Sequence, residues 1–516
     1  MKLNYKRTIL VGFAFFLISA FWQAYDATIP VILTNKFGMS QTWSGVIMAL
    51  DNILAVFMLP LFGALSDKCT TRHGKRTPFI AIGTIAAAAA IICLSFVDNA
   101  QLQNISAVST IDDPAALEII YDTQSDVKLL TPEGDTVVLR ETFTREEFTA
   151  IRCKITDPET GKAITNPDYT DYVAPARQAY AATKTAENSL PLILFIGLLL
   201  VVLVSMSTFR SPAVALMPDV TIKPLRSKAN AVINLMGTAG GILVLVLGMV
   251  FSTSAVQNAM MSYTVYYAVI AAIMLGALSI FLCTVREPEW AAQMAADSVK
   301  YGIEGVADKN EKRKLSPTEV KSLVCILLSI SLWYFGYNAV TSKYAVYAGN
   351  ILDKDYNTTM LLAQGAAIVA YLPAGAVASR IGRRKTILGG VVMLTAAFGC
   401  AAFMRAASPT WVMNLLFALA GIAWATINVN SFPMVVEMCS GADIGKYTGF
   451  YYTASMTAQI VTPMLSGFLM DKMGMTVLFP YAAVFVALAF VTMSLVRHGD
   501  AKITVKKGLE AFSDED

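Results

Sequence analysis

Apolar runs long enough to cross a bilayer recur along the whole chain, at residues 8–34, 42–65, 78–97, 190–218, 230–253, 263–285, 321–346, 358–379, 385–404, 411–436, 447–470 and 477–497. About 20 apolar residues suffice for one helical crossing of a hydrocarbon core ~30 Å thick. Composition agrees: 15% of the 516 residues are charged and the mean hydropathy is +0.56, where a soluble chain carries about a quarter charged residues. The pattern predicts twelve membrane-spanning helices, with lipid as the solvent for most of the chain. An even number of spans puts both termini on one side.

Charge is segregated. Lys2, Lys6 and Arg7, the 65–80 stretch, Lys223, Arg226 and Lys228, the 286–320 connector, Arg380, Arg383, Arg384 and Lys385, Lys446 and the tail after Arg497 all fall on the side of the N-terminus, whereas Lys36, Lys354, Arg405 and Lys472 stand alone on the other. By the positive-inside rule both termini are cytoplasmic, in a multi-pass plasma-membrane protein of bacterial type. The N-terminal "MKLNYKRTILVGFAFFLISAFW" starts like a signal peptide, but no small-residue cleavage site follows, so it reads as a retained first span.

Several function classes lose support. No basic tract carries interleaved aromatics, which argues against nucleic-acid binding. The seven cysteines are scattered singly and only two histidines exist, so no metal site or other cofactor is expected. No nucleophile–base spacing or phosphate loop points to an enzyme, and "GTAGGILV" lies inside an apolar run, where small residues serve close helix packing.

The expected organisation is 1–97, helices 1–3 of a first bundle; 98–189, a soluble insert; 190–285, helices 4–6; 286–320, a cytoplasmic connector; 321–497, helices 7–12 of a second bundle; and 498–516, a cytoplasmic tail. The insert holds 16 acidic and 8 basic residues. "DVKLLTPEGDTVVLRE" reads as two short β-runs around a Pro-Glu-Gly-Asp turn, "IRCKITDPETGKAIT" repeats that design, and "APARQAYAATKTAEN" reads as a helix. A compact α+β ectodomain able to bind an unknown partner is expected. The halves echo each other: "LPLFGALSDKCTTRHGKR" ends span 2 and "LPAGAVASRIGRRK" ends span 8. Such internal duplication marks secondary transporters, which bind substrate near the midplane between their halves.

These echoed stretches resemble the loop 2–3 and loop 8–9 motifs of the major facilitator superfamily. "SDKCTTRHGKRTPFI" is similar to the narrower pattern of sucrose transporters and related glycoside–pentoside–hexuronide:cation symporters, and "SPAVALMPDV", "RSKANAVINLMGTAGGIL", "GIAWATINVNSFPMV" and "QIVTPMLSGFLMD" fit the same group. The resemblance covers all twelve spans and omits the insert. It implies two pseudo-symmetric six-helix bundles. It also implies a cytoplasmic gate of Asp67, Arg76 and Asp219 that latches the helix ends when the carrier faces outward, with Arg383, Arg384 and Glu437 as counterpart. The plainer reading is that these charges only anchor loops at the inner membrane face.

Ionisable residues well inside a span are costly and are functional candidates by default. Asp26 on span 1, Asp51 on span 2 and Arg210 on span 4 qualify. The resemblance places spans 1, 4, 7 and 10 around one chamber, so Asp26 and Arg210 can pair there, with Gln23 one turn from Asp26. Asp26 and Asp51 are the candidates for cation coupling. Trp333, Tyr337, Asn338, Thr341 and Lys343 on span 7, and Trp424 and Asn428 on span 10, supply aromatic faces and polar groups suited to a sugar. Tyr334, Tyr344 and Tyr347 read instead as packing residues. The pattern departs from its relatives: melibiose-type carriers have two aspartates one turn apart on span 2, where only Asp51 stands here. The span-4 Asp and Arg of sucrose transporters align with Leu203 and Val214. The leading expectation is a sugar:cation symporter, with a proton favoured over sodium. An exporter of drugs or metabolites driven by proton antiport comes second, and a receptor acting through the insert third.

Overall fold

A computed structural model describes residues 3–156, 163–222, 225–300, 315–436, 438 and 444–499. The first half begins with α1 (Tyr5–Asn35), α2 (Gln41–Asp67) and α3 (Thr77–Asn104). The insert follows as α4 (Pro114–Gln124), β1 (Lys128–Leu130), β2 (Thr136–Val138), α5 (Leu139–Thr142), α6 (Arg145–Ala150), β3 (Lys154–Thr156), β4 (Ala163–Thr165) and α7 (Ala174–Glu187). The first half resumes with α8 (Leu190–Asp219), α9 (Arg226–Val250) and α10 (Thr264–Thr284), and a connector helix, α11 (Glu287–Lys300), comes next. The second half is α12 (Pro317–Tyr347), α13 (Tyr356–Ile381), α14 (Arg383–Ala401), α15 (Thr410–Val436), α16 (Ile444–Met473) and α17 (Leu478–Ser494).

Local signals set the helix starts. Asn4 accepts the Arg7 N–H, Ser40 that of Trp43, and Ser316 closes a reciprocal capping box with Glu319, each satisfying N–H groups that a helix leaves free. Among the described residues ten helices are long and apolar enough to cross a membrane: α1, α2, α3, α8, α9, α10, α12, α14, α15 and α17. The other two long helices, α13 and α16, pack against α9 and α15, and against α2 and α12, respectively. They carry Asn357, Gln364, Gln459 and Asp471, the polar residues of helices that face a seam rather than lipid. Two apolar cores result, one from α1–α3 and α8–α10, the other from α12–α17.

The α3 helix runs to Asn104, beyond the end at 97 expected from its apolar run, because its first charge is neutralised in place. Asp98 pairs with Lys36 at 2.6 Å, both side chains fully buried, and Lys36 Nζ also donates to the Met261 carbonyl at 2.8 Å. The insert has a third core built from Ile105, Leu117, Ile120, Phe148 and Tyr169. Its Arg177, only 2% exposed, donates to the carbonyls of Val108, Thr110 and Ile111. Helices dominate the insert, and among the described residues the β contribution is two antiparallel pairs of three-residue strands, β1–β2 around the expected Pro-Glu-Gly-Asp turn and β3–β4, whose expected turn lies outside the described residues. At the opposite end of the bundle, α11 lies against the N-terminus, with the Arg7 guanidinium 4.7 Å from the Trp290 ring.

Candidate functional site

Asp26, Asp51 and Arg210 come from α1, α2 and α8, and each is half-buried, with one side on open space. Asp51 is the carboxylate within electrostatic reach of Arg210, and Asp26 in turn lies in the field of Asp51. Asp51 thus interacts electrostatically with both of the others, and no ion pair under 4 Å joins Arg210 to either aspartate among the described residues. The Asp51 carboxylate accepts from Asn52 at 2.8 Å, and the Arg210 guanidinium sits 5.5 Å from the Trp22 ring.

The second half faces this cluster with an aromatic wall. Tyr337 stacks on Trp424 with ring centroids 3.6 Å apart and planes 4° from parallel, and Tyr334 meets the same indole edge-on at 5.2 Å. Tyr337 and Tyr356 are both in the electrostatic field of Asp26, across the boundary between halves. Asn338 Nδ2 is buried and makes no hydrogen bond. Asn428 lies beside Tyr371 of α13. Trp333 is 1% exposed inside the second core, against which Tyr334, Tyr337 and Trp424 pack.

Gln23 spans the two halves. Its Oε1 accepts from Gln364 Nε2 at 2.5 Å and its Nε2 donates to the Tyr356 hydroxyl at 3.1 Å. Toward the insert the halves are sewn together more tightly. The Asp471 carboxylate accepts the backbone N–H groups of Gln41 and Thr42, each at 2.7 Å, and the Thr42 hydroxyl at 2.5 Å. Lys343, fully buried, donates from Nζ to the Gln41 carbonyl at 2.6 Å. Lys343 thus grips the first turn of α2. Asp355 caps α13 and accepts from Ser254 Oγ of the first half, while Asn357 donates to Thr253 Oγ1 at 3.2 Å. The helices can come this close because Gly45 lacks a side chain: a Cβ there would stand 2.0 Å from the Pro463 carbonyl oxygen.

At the other end, Arg76 joins Asp67 at 2.5 Å and Asp219 at 2.8 Å, and also donates to Ser66 Oγ. The buried Glu287 carboxylate accepts the backbone N–H groups of Lys75, Arg76 and Thr77 at 2.7, 2.9 and 2.8 Å. This network ties α2, α3, α8 and α11 together within one half, and it is formed while the insert-end seam is closed. In the second half Arg384 donates to the Ser494 carbonyl at 2.5 Å, closing the end of α17. Arg383 is also bonded, and Glu437 lies outside the described residues. Among the described residues no group of three or more His, Cys, Asp and Glu could hold a metal ion.

Gln364, Tyr356, Asp471 and Glu287 were not foreseen from sequence. Gln364 carries the clearest signal, a lone amide in "LLAQGAAIVA".

Residues 10–108 match the family model described as MFS/sugar transport protein, and residues 326–512 match the one described as Major Facilitator Superfamily. The chain belongs to the major facilitator superfamily. An MFS-type transporter of Metarhizium rileyi is 28% identical over 142 residues, 28% of either chain, and a sucrose transport protein of Arabidopsis thaliana is 32% identical over 74 residues, 14% of either chain. These matches cover less than a third of the length of the curated relatives. The fold is that of the inward-open xylose transporter XylE from E. coli, with a TM-score of 0.58 at 14% identity over 99% of this chain and 100% of that one. A nucleoside transporter, NupG, superposes with a TM-score of 0.53 at 12% identity over 95% of this chain and 100% of that one.

Proposed function

We propose that this major facilitator protein is a secondary transporter that carries a sugar, a glycoside or oligosaccharide, together with a cation, a proton in preference to sodium, by alternating access. In this reading all twelve long helices cross the plasma membrane as two six-helix bundles, 1–97 with 190–285 and 321–497. The 98–189 insert lies outside the cell, and the connector, the tail and both termini lie inside.

One observation carries the reading. Asp51 lies within electrostatic reach of Arg210 and Asp26 in the field of Asp51, so two half-buried carboxylates face a single guanidinium and Asp26 has no cation of its own. An uncompensated charge in a low-dielectric site is costly. Binding a proton or other cation removes it, and that gives the cation a thermodynamic hold on the seam. The Tyr337–Trp424 wall opposite offers a flat apolar surface for a pyranose ring, with Asn338 Nδ2 unpartnered nearby for a hydroxyl. The sucrose and xylose transporters among the similar proteins support the substrate class.

The test is radiolabelled glycoside uptake into proteoliposomes under an imposed proton or sodium gradient. Wild-type protein should accumulate sugar against its gradient, and Asp26→Asn should exchange sugar without accumulating it. Absence of gradient-driven accumulation for every glycoside tried overturns the reading. Full accumulation by Asp26→Asn removes that carboxylate from coupling.

A further inference from the structure

By chain connection and by core, the insert belongs to the first half. It grows out of α3, returns through α7 into α8, and buries Met260 of the first half in its core. Gln178 Nε2 donates to Asn35 Oδ1 and Gln101 Nε2 to Thr185 Oγ1, each at 2.9 Å, fixing the body of the insert to α1 and α3. Its hairpins, however, end on the second half. In the β1–β2 turn the Pro132 carbonyl accepts the Met475 N–H at 2.7 Å and Glu133 faces Arg405 at 3.5 Å. Gly134 and Gly474, with φ of +106° and +87°, bring the two turns into backbone contact: a Cβ on Gly474 would lie 2.4 Å from Gly134 N. At β4, Thr165 donates from its hydroxyl and its N–H to the Asp353 carboxylate, at 2.5 and 3.1 Å.

We infer that the insert is a lock on the outer face of the carrier, riding with the first bundle and bonding its two hairpins to the α12–α13 and α16–α17 turns of the second only while the insert-end seam is shut. This rests on the alternating-access reading above. The chemistry suits a reversible lock. The body is held by buried packing, whereas the β1–β2 turn and the end of β4 are held by a handful of polar bonds, each of modest net worth because water replaces them on opening. Rotation of one bundle against the other breaks these bonds and leaves the body intact. The insert therefore adds to the free energy of the closed state without touching the substrate chamber.

The test uses the full chain in proteoliposomes. Glu133→Cys with Thr476→Cys places thiols on facing turns, since Thr476 Oγ1 reaches the Glu133 carbonyl at 3.5 Å. Oxidation should abolish uptake, and a reductant should restore it. In parallel, spin labels at Ser189→Cys and Ala407→Cys, exposed on the insert end of either half, report the distance between bundles with Cys93, Cys283 and Cys400 replaced by serine. Gly134→Val and Gly474→Val should raise the long-distance population on the order of tenfold. Uptake at the wild-type rate in the cross-linked protein, or unchanged distances in both glycine variants, overturns the lock. The distances require no substrate, so a wild-type protein that opens and closes but moves no sugar overturns only the sugar reading.

Discussion

Asp471→Ala is the sharpest test of how the two halves are held. The carboxylate takes three hydrogen bonds from the first turn of α2 at 2.5 to 2.7 Å, where the helix N-terminus itself favours negative charge. Charge-assisted bonds are worth about 1.5–3 kcal/mol each when dry. Asp471 is only half-buried, so ~1 kcal/mol per bond is the appropriate scale, giving about 3 kcal/mol for the grip. At 1.4 kcal/mol per factor of ten, removing it raises the open-to-closed ratio of the insert-end seam roughly 150-fold. Ser44 reports this opening: it is fully buried three residues into α2 and its Oγ makes no hydrogen bond, so Ser44→Cys costs no interaction. Its modification by a membrane-impermeant maleimide should accelerate on the order of a hundredfold in Asp471→Ala, with Asp471→Asn in between because an amide oxygen still accepts one N–H. Equal labelling rates with and without the carboxylate would refute the argument that Asp471 holds the bundles together.

Three further outcomes are expected. Arg76→Ala should lower stability by about 1–3 kcal/mol in detergent unfolding, below the value for a fully buried network because Asp67 and Asp219 are 62% and 36% exposed, and Arg76→Lys should recover little, since an ammonium cannot fork to both carboxylates. Asp98→Leu should cost about 3–5 kcal/mol by leaving Lys36 buried and uncompensated, while Asp98→Leu with Lys36→Met should cost markedly less by the same melting measurement. Burial pushes the Asp355 carboxyl up, but hydrogen bonds from Ser254, Thr358 and Asn357 outweigh it and hold the group below its ordinary value. A depressed carboxylate stabilises above its unfolded pKa and loses that contribution as pH falls through the folded one, so the long-distance population of the Ser189→Cys/Ala407→Cys spin-label pair should stay constant from neutrality to about pH 4 and rise below it.

The apolar runs located the long helices because lipid leaves a chain little choice: backbone groups must bond within the helix, and side chains must be apolar. Where that rule relaxes, the sequence misleads. Asp98 looks like the end of a span, yet a buried Lys36 allows α3 to continue to Asn104. The Asp67–Arg76–Asp219 contact was legible because its residues sit in a recurring motif that already names the partners. Glu287 and Asp471 were not, since a carboxylate that accepts backbone N–H groups has partners without sequence identity. Trp333 and Tyr337 look alike on paper, four residues apart on one helix. Only packing shows that the first is sunk in the core and the second is stacked on Trp424. Lys343, expected among the polar groups of span 7, donates to the Gln41 carbonyl, a backbone partner that no sequence pattern names.

The two ends of the molecule use their charges differently, and this constrains how it can move. At the terminal end, Arg76, Asp67, Asp219 and Glu287 bind elements of one half to each other, so a rotation between halves leaves that network whole. At the insert end, Asp471, Lys343, Asp355, Gln23 and both hairpins bind one half to the other, so the same rotation breaks them all. A carrier that alternates needs two states within a few kcal/mol of each other. The insert-end bonds together exceed that gap, and opening therefore requires new bonds between halves at the terminal end. One charge there still open to water is the Asp67 carboxylate, 62% exposed beside its bond to Arg76. On the function proposed above, protonation of the Asp26–Asp51 cluster and sugar on the aromatic wall would need to supply only the remainder, and a single cation could then control a seam several hydrogen bonds strong.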